Sequence, residues 1–384
     1  MSGAAAPDGA ERLRAAGAVV GEGVRARLGE DFAVEPGAVI GDGAVLVADR
    51  GRIGAGVRIG AGCDLRSGSL RIGADSEVGE RSRVLVADEF AIGAASRIEA
   101  DVDITCRSFT AGNLFYFGHS SSVGYGGTTA STAVVEIGSR VALGPGSVLN
   151  ANRRITLGDQ VGSGCNLSIW THGYHFGHRL LDGYEAAYDE VRVDANVWLG
   201  FHVTLLPGVG IGANTVVAAG AVVARDLPAD VLAAGVPAVA KRRLDPRPPT
   251  GAEAERRIAA LLDEWTAELE WKGLTARLTS PTQVDMPGHR AELVAADREA
   301  GPGDGRTRLL LTVEDRPDLR GEANAVVFEL RSGGLHGDLD PVAHDLRDFL
   351  RRNALPCGEK DTFRSLPPVG FARLRDPEPP GERL

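Results

Sequence analysis

The sequence predicts a mainly β fold, a parallel β-helix wound from six-residue repeats, and three observations predict it. Aliphatic residues recur at every sixth position from Val193 through Leu199, Leu205, Ile211 and Val217 to Val223. A second column of small or β-branched residues keeps the same period: Val197, Val203, Val209, Thr215 and Ala221. The chain carries 51 glycines but only 5% aromatic residues, and those glycines are periodic, so they mark corners rather than a flexible linker.

A period of six fits neither a helix nor a simple half-buried strand. A short fixed repeat is the mark of a solenoid, and hexads are read as a parallel β-helix. Each short strand ends at a corner that Gly, Asn or Asp tolerates. The aliphatic residue points inward, and backbone hydrogen bonds run from coil to coil. Three hexads make one roughly triangular coil. The same register recurs in shorter runs: Val34, Ile40, Leu46; Ile53, Ile59, Leu65; Ile72, Val78, Val84; Ile92, Ile98, Ile104; Ile137, Leu143, Leu149; and Ile155, Val161, Leu167. "GVGIGA" (Gly208 to Ala213) matches a dinucleotide fingerprint, but hexad glycines produce that match by chance and no helix pattern follows it.

Length and composition bound the rest. With 384 residues and 43% hydrophobic content, two or three domains are expected. A net charge of −10 argues against nucleic-acid and membrane-surface binding, which need a basic footprint. The first residues lack a long apolar stretch, and no run is long enough to cross a bilayer. A cytoplasmic protein is expected. The four cysteines are far apart, and Cys63, Cys106 and Cys165, within the repeats, read as buried free thiols.

Along the chain, residues 1–30 read as an N-terminal extension, partly helical or disordered, and 31–244 as the β-helix. Two stretches interrupt the hexads, at about 106–136 and 171–192. The first gathers Phe109, Phe115, Tyr116, Phe117 and Tyr125, and reads either as the lining of an acceptor pocket or as a loop over an apolar edge. After the breaker "DPRPPTG", residues 251–273 read as an amphipathic helix with Ile258, Leu261, Leu262, Trp265 and Leu269 on one face, packed on the prism or on a neighbouring subunit. Residues 276–372 read as a small α+β domain of unknown role. It has strands in "RLLLTVED" and "NAVVFELRSGGLHGD" and a helix opened by Asp340-Pro341. Residues 373–384 read as a disordered tail.

The stretch "DANVWLGFHVTLLPGVGIGANTVVAAGAVVARDLPADVLAAGVPAVAKR" resembles the hexapeptide-repeat acyltransferases, closest to the maltose, galactoside and xenobiotic acetyltransferase branch. The resemblance spans roughly Phe32 to Leu244. It implies a left-handed β-helix, a homotrimer with active sites between neighbouring prisms, and acetyl-CoA or another acyl-CoA as co-substrate, with no metal. The acceptor it implies is a small molecule: a sugar, an amino sugar or an antibiotic-like compound.

Acyl transfer from a thioester to a hydroxyl or amine needs a base, an oxyanion donor and positioning groups. Histidine suits the base role. His172, His175 and His178 crowd into the second interruption, where a loop on a rigid scaffold can carry a site. The resemblance implies a catalytic histidine after a threonine, which favours His172. Counting in hexads favours a position near Tyr174 and keeps His175 open. It also implies a contact to acceptor or base at Asn150 or Asn152, for which a corner-turn role is the competing reading. Trp198 is too large for a column of small residues and reads as a wall of the pantetheine slot or a subunit contact. The resemblance places further cofactor contacts at Phe201, Ala219, Ala224, Arg225 and Arg242, with Lys241 beside them. Two other readings stay open: a γ-class carbonic anhydrase-like zinc enzyme on the same prism, and a non-catalytic scaffold.

Overall fold

The computed structural model describes residues 9–124, 130–173, 177, 179–301, 303–358, 365–366 and 368. The chain divides into two compact units, one running to Pro246 and the other from Arg247.

The first unit is the parallel β-helix that the repeat predicts. Its strands form two long ladders, one of 12 strands and one of 15. In the early coils a strand of the longer ladder, such as Val45–Ile53, bends over a corner and serves two faces of the prism. Every member of the Val193-to-Val223 column is buried, and so is every member of the Val197-to-Ala221 column. Each such aliphatic side chain contributes about 1.5–3 kcal/mol of burial. Neighbouring coils are joined by amide bonds such as Gly200 N–H to the Val217 carbonyl at 2.8 Å and Thr204 N–H to the Ala221 carbonyl at 2.9 Å.

The corners stack in columns of left-handed backbone. One column runs through Gly56, Asp75, Ala95, Leu114, Arg140, Gln160, Asn196, Asn214 and Asp230, all at φ between 56° and 67°. Glycine is absent from most of these corners. Asn and Asp tolerate this region through local hydrogen bonds, and at the end of the prism they make a ladder. Asn196 Nδ2 donates to Asn214 Oδ1 and Asn214 Nδ2 to Asp230 Oδ1, both at 2.9 Å. At Gly200 the constraint is space rather than angle, because a Cβ there would lie 2.5 Å from the Ala219 nitrogen on the next coil.

Three sequence expectations are corrected. The prism starts before residue 31: Val19–Val20 and Arg25–Leu28 already pair in parallel with Val39–Ile40 and Val45–Ile53. A short helix α1 (Gly9–Ala15) puts Leu13 into the same core. The second strand of this coil carries two exposed arginines, Arg25 and Arg27, and no fully buried residue. The first interruption is also shorter than 106–136. Residues 103–111, 116–117 and 122–123 continue the ladders, and the detour lies between Val123 and Val134. Phe109, Phe115 and Phe117 sit fully buried inside the prism rather than lining a pocket. With Phe90 they form a continuous stack with ring centroids 5.6–5.9 Å apart. Tyr125 lies outside the described residues. Finally, Cys165 is exposed, whereas Cys63 and Cys106 are buried.

The second unit opens with helix α2 (Gly251–Trp271), capped by Thr250, whose side chain accepts from the Glu253 amide. Ile258, Leu262, Trp265 and Leu269 belong to a core shared with strands of this unit, including Val284, Leu309, Leu311 and Phe328. The buried face of α2 is therefore covered within its own unit, where packing on the prism or on a neighbouring subunit was expected. The six-stranded sheet runs in chain order, with Thr307–Thr312 central and parallel to both of its neighbours. Helix α3 (Pro341–Arg352) starts at Asp340, whose carboxylate accepts from the Val342 and Ala343 amides. Buried Asp345 accepts from Trp265 Nε1 at 3.0 Å and pairs with Lys272 at 2.6 Å, tying α3 to α2. The tail at 373–384 lies outside the described residues.

Candidate active site

The second interruption leaves the prism after strand Ser168–Trp170 and rejoins it at Val191–Val193. At its root His172–Gly173 pairs antiparallel with Ala187–Tyr188. The arm beyond is exposed at Leu180, Leu181 and Tyr184.

Thr171 explains why the arm starts there. It is fully buried. Its hydroxyl donates to the Asn150 carbonyl at 2.7 Å and accepts from the Asn152 and Arg153 amides at 2.7 and 3.0 Å. One side chain thus satisfies three backbone groups of the preceding coil as the chain turns outward. The next residue, His172, is half-buried. Its ring stacks on Tyr188, with centroids 5.9 Å apart and planes 17° from parallel, and meets the edge of Trp170 at 6.3 Å. Burial lowers its pKa below the ordinary imidazole value, because the charged form loses solvation. The neutral ring able to take a proton therefore dominates near neutral pH. Asn150 is buried and ends its strand, opposite Trp170. His175 and His178 lie outside the described residues. His202 occupies a left-handed corner at φ 60°, and His119 is exposed.

A second feature lies on the 12-stranded ladder. A groove of about 630 Å³ is lined by residues that include Gln160, Gly162, Asn196, Trp198, Asn214 and Arg242. Trp198 stands outward and half exposed. It fits because its ladder partner is glycine: a Cβ on Gly162 would lie 2.9 Å from the indole ring. The Asn196–Asn214–Asp230 ladder fixes one rim. Arg242 comes from the exit hairpin, where it sits opposite Leu232. The lining combines an indole wall, amide groups and one guanidinium with the carboxylate of Asp245.

Of the sequence-predicted cofactor contacts, the groove brings together Trp198 and Arg242. Phe201, Ala219, Ala224, Arg225 and Lys241 are exposed but do not line it. Gln160, Gly162, Asn196 and Asn214 escaped sequence reasoning because they read as ordinary corner and strand residues. Only the register opposite Trp198 singles out Gly162. Among the described residues, no three His, Cys, Asp or Glu side chains converge to hold a metal.

No family model matches the chain. It is 35% identical to the galactoside O-acetyltransferase of Escherichia coli (strain K12) over 116 residues, 29% of this chain and 57% of that protein. The chain thus spans little more than half the length of this relative. A hexapeptide-repeat acetyltransferase from Vibrio cholerae O1 biovar eltor, solved with acetyl-coenzyme A, aligns at 26% identity over 36% of this chain and 72% of its own, with a TM-score of 0.31. A galactoside acetyltransferase solved with coenzyme A aligns at 27% identity over 36% of this chain and 66% of its own, with a TM-score of 0.27. The resemblance carried by the repeat and the exit loop is matched by the identity to a curated acetyltransferase.

Proposed function

We propose that the chain is an acyl-CoA-dependent acyltransferase that moves an acetyl group to a hydroxyl or amine of a small acceptor, a sugar or amino sugar in the first instance. One observation carries the reading: a half-buried, weakly basic imidazole at the root of an arm, on a prism similar in sequence to a galactoside O-acetyltransferase. Acyl-CoA, when bound, supplies an activated thioester carbonyl. His172 takes the proton from the acceptor hydroxyl or amine as the new O–C or N–C bond forms. The C–S bond then breaks, and the imidazolium returns its proton to the departing thiolate. Trp198 and Arg242 hold the pantetheine arm and the phosphates in the groove.

Within one chain the two features belong to different ladders. His172 follows a strand of the 15-stranded sheet, and Trp198 lies in the 12-stranded sheet. We assign the complete site to the boundary between copies in the homotrimer that the resemblance to hexapeptide-repeat acyltransferases implies. No helix among the described residues is long and apolar enough to cross a membrane; the cytoplasmic location is proposed from the resemblance alone.

The test is CoA release from acetyl-CoA with pooled sugar and amino-sugar acceptors. His172→Ala and His175→Ala are assayed separately. Loss of about 10²–10⁴ in turnover is expected for His172→Ala. If both variants keep wild-type turnover, the base assignment fails. If calorimetry detects no CoA binding, the scaffold reading replaces the enzyme.

A further inference from the structure

We propose that Tyr188 is the positioning residue for His172, fixing the plane of the imidazole by stacking on it, and that Arg153 fixes Tyr188 in turn. The inference rests on the reading of His172 as base. An imidazole on an arm has two side-chain torsions to lose before it can act, and a small misplacement is costly in rate. Trp170 meets the ring by its edge, at 65°, and Tyr188 by its face, at 17°, so the ring is confined in two directions. The Arg153 guanidinium carbon lies 4.9 Å from the centroid of Tyr188, a cation–π contact.

Both partners are held by backbone. Tyr188 is the register partner of His172 across the hairpin. The following amide, of Asp189, donates to the Thr171 carbonyl at 3.0 Å. Arg153 donates from Nη1 to Thr132 Oγ1 and to the Asn152 carbonyl, both at 3.1 Å. Its own amide donates to Thr171 Oγ1. The hydroxyl that starts the arm therefore also anchors the residue behind Tyr188. Tyr188 remains 40% exposed, so core packing is not what keeps it there. Its ring is placed by register and by the cation.

Two readouts test this on the full-length protein. In the free protein, the His172 ring protons, assigned by their loss in His172→Ala, carry an upfield ring-current shift. Tyr188→Ala removes that shift, Tyr188→Phe retains it, and Arg153→Ala reduces it. In steady-state kinetics Tyr188→Ala lowers kcat by about 100-fold with little change in KM for acetyl-CoA, and Tyr188→Phe recovers most of the rate. A Tyr188→Ala protein with wild-type kcat, or with the His172 signal still at its wild-type upfield position, overturns the positioning role. So does one in which only thermal stability falls. If His172→Ala itself turns over at the wild-type rate, the base reading fails first and takes this role with it. That outcome is distinct from a dead His172→Ala beside an active Tyr188→Ala.

Discussion

The imidazole of His172 titrates against the cost of burying charge, and that sets the pH behaviour of the candidate site. Its pKa lies below the ordinary 6.5, with desolvation as the cause. A base must be unprotonated to act, so kcat/KM should rise with pH and level off, with a midpoint below that of free imidazole. A midpoint above 6.5 in a pH–rate profile would point to a different base. The same depression means that the unfolded chain takes up the proton more readily than the folded one. Acidification below the ordinary value therefore disfavours the fold at this position, while neutral pH leaves it unaffected. At the groove the decisive residue has no side chain. Gly162→Val puts methyl groups where the indole of Trp198 now stands. The prism should keep its fold, because the clash falls on a movable side chain at the surface. Displacing the wall should weaken CoA binding about tenfold, or about 1.4 kcal/mol, by calorimetry. Unchanged affinity would detach Trp198 from cofactor binding.

Among the elements, the coils around Phe90, Phe109, Phe115 and Phe117 depart furthest from the aliphatic pattern. The four rings fill the interior where Leu, Ile and Val do so elsewhere. Phe109 touches two of the other rings, so Phe109→Ala should cost about 3–5 kcal/mol, measured as a fall in the denaturation midpoint. A cost under about 1 kcal/mol would show that neighbouring coils close the gap. The same coils mark where the sequence was legible and where it was not. The terminal coils keep strict hexads, because each face there is one short strand between two tight corners. In the earlier coils Ile40 sits opposite Ile59 and Ile59 opposite Val78, an advance of nineteen residues rather than eighteen. The extra residue rides over the bend in a long strand and breaks the six-residue count without breaking the ladder. Aromatic residues inside the prism then looked like loop residues, since loops are where a periodic reading puts whatever fails the period. His172 and Trp198 were legible as departures from the repeat, a polar arm and an oversized ring. Gln160, Asn196 and Asn214 were not, because a corner asparagine lining a groove has the same local chemistry as any other corner asparagine.

At the scale of the whole molecule, the described residues form one core in the prism and two in the second unit, with the chemistry expected on the first unit. The second unit has its own apolar interior around Trp265, Leu309 and Phe328 and its own buried ion pair, Lys272–Asp345, so neither its sheet nor α2 needs the prism to satisfy its apolar residues. The prism has a different need. His172 lies in the two-stranded arm that follows a strand of the 15-stranded ladder, and Trp198 in the 12-stranded ladder; if they are the base and the cofactor wall of the proposed site, acyl transfer requires them within reach of the same carbonyl. A rotationally symmetric assembly meets that need, because each boundary joins one face of a chain to a different face of the next. Complementation tests this directly. His172→Ala supplies a sound groove without a base, and Trp198→Ala combined with Arg242→Ala supplies a base without a groove. Each protein alone should be inactive. Coexpressed in equal amounts, they should form mixed trimers in which roughly a quarter of the boundaries pair a sound groove with a sound imidazole. Activity should then return to about that fraction of wild type. Mixtures as inactive as their components, with mixed trimers present by mass spectrometry, would place base and groove of each site on one chain and overturn the shared boundary.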